Sequence, residues 1–424
     1  MAIINSIIAL GAAVMMPIIF FVVGLIFKMK PANAFKAGML VGVGFTGVSM
    51  VINLLLGALG PASKAMVERL GLHLTVTDVG WATASTIGWG SPIMPVVVIG
   101  FFVINACLLF LKITKTVDID IFNFWIFLLL GANIYAGTKN FWLAVISTWI
   151  IFIITLIVAD FTQPIIQKQF PAKTEQLKGI SFPHLTCVAW IPFGIVSDWI
   201  IERIPGLNKI NLQPEKVQKR LGVLGEPISL GFILGILIGI LAGYQVNSIL
   251  TLSINVAASM YLLPEMVGIL IKGLVMVRDR VDEQLHQWFP TRKFYIGMDT
   301  ALLIDDPSVL ATGLLLIPIA ILLAFVLPGN KVLPFVDLAS LMFLFALVAP
   351  FCKRNMFRML IAGIFIVICI LYVGSDISSE FTEAAVMSKI SAVKSMTAIT
   401  NMVGSATTWV GWIFIKVAEM INGI

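Results

Sequence analysis

The chain has 424 residues, 59% of them hydrophobic and only 12% charged, with a formal net charge of +6 and a mean hydropathy of +1.02. A soluble domain carries about twice that charged fraction, and apolar runs of about 20 residues, enough to cross a bilayer, recur from end to end. These properties exclude a soluble catalytic domain and an outer-membrane barrel, whose strands alternate. The basic residues are spread over loops and give no case for nucleic acid.

The expected fold is an all-α polytopic membrane protein. Its first run, Ile3 to Phe27, lacks a small-residue cleavage site and is followed by Lys28-Met29-Lys30, so it reads as a membrane helix and not a removable signal. Apolar segments predict spans at about 5–27, 37–59, 93–112, 121–137, 141–159, 226–245, 248–270, 308–327, 333–350, 357–373 and 405–422, about eleven in all. Residues 61–78 are amphipathic, with Met66, Leu70 and Leu74 on one stripe and Lys64, Glu68 and Arg69 off it. Such a piece lies in the interface plane. The stretch from Asp78 to Pro92 is Gly-rich and too polar to face lipid. Irregular backbone at membrane depth is tolerated only against protein or a water-filled cavity, so a re-entrant hairpin is expected.

The same order recurs in the second half. Residues 273–293 are amphipathic and lead into Gly297-Met298-Asp299-Thr300, then Pro307, an apolar span, and Asp337 at the next entry. Asp78 matches Asp299, Pro92 matches Pro307 and Asp120 matches Asp337, each about 220 residues apart. Gly/Pro-interrupted segments at matching positions of two halves point to a transporter binding site. The odd number of spans in each half makes the repeats inverted, each with an amphipathic helix and a re-entrant hairpin. The expected layout is residues 1–160 as the first repeat and 226–374 as the second. Residues 161–225 form a basic linker, and 375–424 a loop and last membrane helix. The linker holds Lys168, Lys173, Lys178, Arg203, Lys209, Lys216, Lys219 and Arg220, which places it on the cytoplasmic side. The piece opened by Pro183-His184 and closed by Asp198 and Glu202 is expected not to span.

No P-loop, dinucleotide fingerprint, HExxH or GxSxG occurs. Cys107, Cys187, Cys352 and Cys369 show neither metal nor disulfide spacing, so no metal and no cofactor are expected. The chemistry-bearing groups are polar residues in apolar surroundings, because an ionisable group at membrane depth costs a few kcal/mol and tends to face a pathway. Asp299 is read as a ligand to a polar solute, since a carboxylate bond to a hydroxyl is stronger than a neutral one. For Asp78, ligand and helix-cap readings stay open, as they do for Glu226 ahead of Pro227. Asp305, before Asp306-Pro307, is read as a helix cap. His184 is read as lining a cleft, and His73 and His286 as solvated. Trp81 and Trp89 in the hairpin are aromatic candidates. Asn123, Trp125 and Asn133 mark the entry of span 121–137.

The residues resemble the membrane-spanning IIC permease of the galactitol-type bacterial phosphotransferase system over nearly the whole chain. The resemblance rests on Phe35-Lys-Ala-Gly38, Gly42-Val-Gly-Phe45, Asp78-Val-Gly-Trp81, Pro183-His184 and Arg203-Ile-Pro-Gly206. It also rests on Leu224-Gly-Glu-Pro227, Gly239-Ile-Leu-Ala-Gly-Tyr244, Gly297-Met-Asp299, Pro328-Gly-Asn330 and Leu333-Pro-Phe335. More distantly the chain resembles the ascorbate permease of the same superfamily. That resemblance implies a homodimer with a dimerising part and a mobile core that moves like an elevator. It places substrate contacts at Asp78 or Val79, near Trp125 to Leu129, at His184 with Leu185, and at Asp299. Leucines at 128, 129 and 185 stand where the ascorbate family has polar residues, so the contacts there differ. The function implied is uptake of a galactitol-like sugar alcohol across the bacterial inner membrane, with phosphorylation by a soluble IIB partner fed by IIA. The basic link over 162–220 is the first candidate for IIB docking. Hydroxyls would be held by Asp299, His184 and Glu226 against a hairpin tryptophan, Trp81. The alternatives are an ion-coupled secondary transporter, with Asp78 and Asp299 carrying the coupling ion, and a membrane enzyme. The carboxylates of the latter lack metal spacing and a nucleophile.

Overall fold

The computed structural model describes residues 12–423 apart from 70, 72–73, 171–172, 217–222, 224–225, 335 and 390–397. His73 and the side chain of His286 lie outside the described residues. The frame is set by two very long helices, α2 (Pro31–Arg69) after α1 (Ala12–Ile26), and α10 (Val246–Trp288) after α9 (Pro227–Leu241). Close approach of these rods depends on glycines. A Cβ on Gly44 of α2 would come 2.5 Å from the Leu270 backbone of α10, and one on Gly235 of α9 would come 2.4 Å from Ser253. Small residues let membrane helices pack backbone to backbone.

Each long helix is followed by the same succession of elements. After α2 come strand β1 (Val76–Asp78), helices α3 (Gly80–Gly90) and α4 (Met94–Phe110), strand β2 (Thr116–Asp118) and a 3₁₀ turn (Ile121–Asn123). After α10 come strand β4 (Tyr295–Gly297), the short α11 (Ala301–Ile304), α12 (Pro307–Val326), strand β5 (Val332–Leu333) and a 3₁₀ helix (Asp337–Phe345). The first succession continues through α5 (Phe124–Thr138), α6 (Phe141–Gln169), strand β3 (Ile180–Ser181), α7 (Leu185–Val188) and α8 (Ile191–Arg203). The second continues through α13 (Met356–Asp376), α14 (Ser378–Met387), strand β6 (Ile399–Thr400) and α15 (Trp409–Ile421).

The strands form two parallel three-stranded sheets, in the orders β5-β1-β6 and β2-β4-β3. A first-half strand is flanked by two from the second half in one sheet, and the reverse holds in the other. Buried apolar side chains fall into two clusters, one built on α2, α10, α12 and α13 and one around α5. Trp81 packs against both.

Among the described residues, six helices are long and apolar enough to cross a membrane, or seven if the pair α3 and α4, bent by 88°, is one broken span. Not all of the expected eleven spans are found as such helices, because an apolar run is not always a straight helix. The run at 333–350 folds as a short strand, a 3₁₀ helix and turns. Runs at 121–137 and 226–245 give helices of only 15 residues, and that at 405–422 one of 13. Conversely, Leu185–Arg203, expected not to span, is one of the six. His184 stands just ahead of it, Pro192 occupies the first turn of α8 where its missing N–H is harmless, and Asp198 and Glu202 pair with Arg358. The amphipathic pieces at 61–78 and 273–293 are not separate interfacial helices. They prolong α2 to Arg69 and α10 to Trp288. The expected loop at 375–400 contains helix α14, and its residues 390–397 lie outside the description.

Candidate functional site

Parallel strands deliver their C-terminal ends to one edge of a sheet. In β2-β4-β3 the residues just past that edge are Asp120, Asp299 and His184, so a sheet of two- and three-residue strands gathers groups far apart in sequence. The register pairs Asp118 with Gly297 and Ser181 with Gly297. Asp299 is half-buried, and its Oδ1 accepts from the Ala301 backbone N–H at 2.9 Å. His184 is buried, and its Nδ1 has no partner among the described residues. The Asp299 charge acts on both His184 and Asp120.

Asp120 is buried, with Oδ2 accepting from Asn123 Nδ2 at 2.7 Å and Oδ1 unpartnered among the described residues. Burial pushes its carboxyl well up, and the charges of Asp299 and Asp118 push the same way. Asp120 and Asp299 line one small cavity of about 10 Å³ with Phe20, Leu270, Leu274, Met298 and Leu302. That is room for about one water molecule.

The other sheet edge is arranged differently. Asp78 is fully buried, with Oδ1 accepting from Gly80 N at 3.0 Å and Oδ2 from Asp337 N at 2.7 Å. Asp337 accepts in turn from the backbone N–H groups of Trp81 at 2.7 Å, Met402 at 2.9 Å and Val403 at 3.1 Å. These two carboxylates therefore staple the hairpin, the 3₁₀ helix and the loop after β6. Asp78 follows the cap reading more closely than the ligand reading. The ladder also refines the pairing of the halves. Val79 N donates to Thr400 O as Met298 N donates to Ser181 O, so Gly297, two residues before Asp299, occupies the position of Asp78.

The remaining expected residues are distributed around these edges. Val79 precedes α3, and Trp81 is half-buried in its first turn. Trp125 is buried at the start of α5, its Nε1 unpartnered among the described residues. A Cβ on Gly88 would come 2.7 Å from the Trp125 carbonyl, which shows how tightly the hairpin helix abuts α5. Leu185 is buried and apolar at the start of α7. The edges meet near Cys187, whose Sγ lies 3.4 Å from Thr300 Oγ1 and donates to Phe343 O at 3.2 Å. Glu226 belongs to neither edge; it precedes α9 and makes no side-chain cap bond.

Asp305 and Asp306 are neutralised by residues distant in sequence. Lys173 Nζ binds Asp305, and Arg354 contacts Asp306 Oδ2 through Nε at 2.9 Å and Nη2 at 2.7 Å. It is Asp306, not Asp305 as expected, whose side chain caps α12, by accepting from Ser308 N. Asp120 is not among the expected contact residues, although its place at the matching span entry marks it in the sequence.

The family model described as "PTS system sugar-specific permease component" matches residues 6–410. The chain belongs to this family of phosphotransferase permeases. The permease is 35% identical over 400 residues to the "PTS system galactitol-specific EIIC component" of Escherichia coli strain K12, covering 94% of this chain and 88% of that one. The same figures hold for the protein of that name from Escherichia coli O157:H7. With spanning helices and phosphotransferase relatives, the permease is a membrane protein that moves a sugar-type solute.

Proposed function

We propose that this permease takes up galactitol or a close sugar alcohol across the bacterial cytoplasmic membrane, and presents it to a IIB subunit, recharged by IIA, for phosphorylation. The name of the relatives, covering nearly the full length of both chains, carries the substrate assignment. The edge bearing Asp299, His184 and Asp120 supports it, because carboxyl oxygens accept hydrogen bonds from a ligand rich in hydroxyl donors. An anionic phosphorylated product binds poorly beside the Asp299 carboxylate and leaves.

The two matching successions of elements, α1 to α8 and α9 to α15, interleaved through both sheets, support two inverted repeats. These reach past the expected bounds of 1–160 and 226–374 to take in β3 with α8 and β6 with α15, and the basic stretch after α8 joins them. The cavity beside Asp299 is far too small for a hexitol, which supports a mobile core that opens and carries the site in an elevator-type movement. A homodimer supplies the fixed frame, and the apolar faces of α2 and α10 are its natural scaffold.

Replacement Asp299→Asn tests the site. A charged hydrogen bond contributes about 1.5–3 kcal/mol, so galactitol affinity of the purified protein should fall by about 10- to 100-fold in calorimetric titration. Unchanged affinity sinks the assignment.

A further inference from the structure

We propose that Asp120 is a second substrate-contacting carboxylate of the permease, taking a hydroxyl hydrogen bond next to the hydroxyl held by Asp299. The inference rests on the sugar-alcohol reading and deepens it.

The comparison of the two sheet edges carries it. At the β5-β1-β6 edge both carboxylates are consumed by backbone: Asp78 takes the N–H groups of Gly80 and Asp337, and Asp337 takes those of Trp81, Met402 and Val403. The ladder bonds Val76 N to Lys331 O and Tyr295 N to Lys115 O, with those of Val79 and Met298, match the two edges residue by residue. In that match Gly297 stands at the place of Asp78 and Ile121 at the place of Asp337. Pro183 stands at the place of Met402 and has no N–H to give. His184 stands at the place of Val403, and its N–H goes to Phe182 O at 2.9 Å. The second edge therefore lacks the stapling carboxylates and two of the five donors, the counterparts of Met402 and Val403.

Its carboxylates are displaced by one and two residues, to Asp120 and Asp299, where those donors do not reach them. Asp120 is 6% exposed and keeps a buried Oδ1 without a partner among the described residues, while Asn123 holds Oδ2 at 2.7 Å. Buried acceptors in native proteins are satisfied, and an exception points to a missing partner. Asp120 is among the residues around the same small cavity as Asp299. A buried carboxyl oxygen next to the Asp299 carboxylate suits a second hydroxyl of the same polyol, which donates a hydrogen bond to it.

The test titrates galactitol and its monodeoxy analogues into the full-length purified protein and into Asp120→Asn, which preserves side-chain shape. In the wild type, the analogue lacking the hydroxyl that meets Asp120 should bind about 10-fold or more weaker than galactitol. In Asp120→Asn, whose amide oxygen accepts more weakly than a carboxylate, galactitol should weaken and that analogue's penalty should shrink. If Asp120→Asn does not purify as folded protein, Asn123→Ala frees Oδ2 while keeping the carboxylate, and should reduce the same penalty. An unchanged pattern across the analogues overturns the role of Asp120 and leaves the permease reading intact. A wild type that binds no polyol overturns both.

Discussion

Replacing Asp337 by leucine should destabilise the permease without acting on substrate contacts. The carboxylate is fully buried and is the acceptor for the Trp81, Met402 and Val403 N–H groups at 2.7, 2.9 and 3.1 Å. Leucine fills much of the space but leaves three donors without an acceptor, each costing about 1–3 kcal/mol. Relief from burying a charge offsets part of that, so a net loss of about 3–5 kcal/mol is expected, the size seen when one partner of a buried polar set is removed. An unfolding entropy of about 2.1 cal/mol/K per residue, applied to 424 residues, converts this to a fall in Tm of about 3–6 °C. Thermal unfolding of detergent-purified protein, followed by tryptophan fluorescence, reads it directly. Asp299→Asn should leave Tm nearly unchanged, because an amide oxygen can still accept the Ala301 N–H. An Asp337→Leu protein with wild-type Tm would refute the stapling role.

Two further outcomes follow from buried carboxylates elsewhere. Asp305→Ala strands Lys173, whose Nζ then keeps, among the described residues, only the Leu302 carbonyl at 2.8 Å. A loss of about 3–5 kcal/mol is expected, and the double replacement Lys173→Met with Asp305→Leu should recover most of it; equal Tm values for single and double variants would contradict this. Asp118, at the end of β2, is pushed up to about 7 by burial, against 3.8 for the free side chain. Its folded form favours the protonated acid, so its contribution to stability is complete below pH about 4 and is lost as pH rises through about 7. The decline of Tm over that window should flatten in Asp118→Asn, and parallel curves would count against a buried acid at this position.

The long apolar runs were legible because they depend on local composition, whereas the expected matches of Asp78 with Asp299 and of Asp120 with Asp337 are off by two residues and one in the ladder. What escaped depends on partners distant in sequence. Strands of two or three residues, such as Ile180–Ser181, are too short to show an alternating pattern, yet they bring Asp120, Asp299 and His184 together. Asp305 and Asp306 stood without a local cation, and their neutralisation by Lys173 and Arg354 is visible only in three dimensions. Asp78 and Asp299 looked alike in their motifs, but the ladder gives Asp78 to the backbone and leaves Asp299 half-buried beside a cavity. Helix α10 was divided into a span and an interfacial piece because its hydrophobic face narrows where Arg278, Asp279, Arg280 and Asp282 enter, although the helix itself continues.

Uptake of labelled galactitol into proteoliposomes tests the permease assignment most directly. With IIB, IIA, the general phosphotransferase proteins and phosphoenolpyruvate on the cytoplasmic face, the label should cross the bilayer and be recovered on that side as the phosphate ester; omission of IIB should abolish this. Accumulation of unmodified galactitol driven by a sodium or proton gradient, with no soluble protein present, would contradict the account.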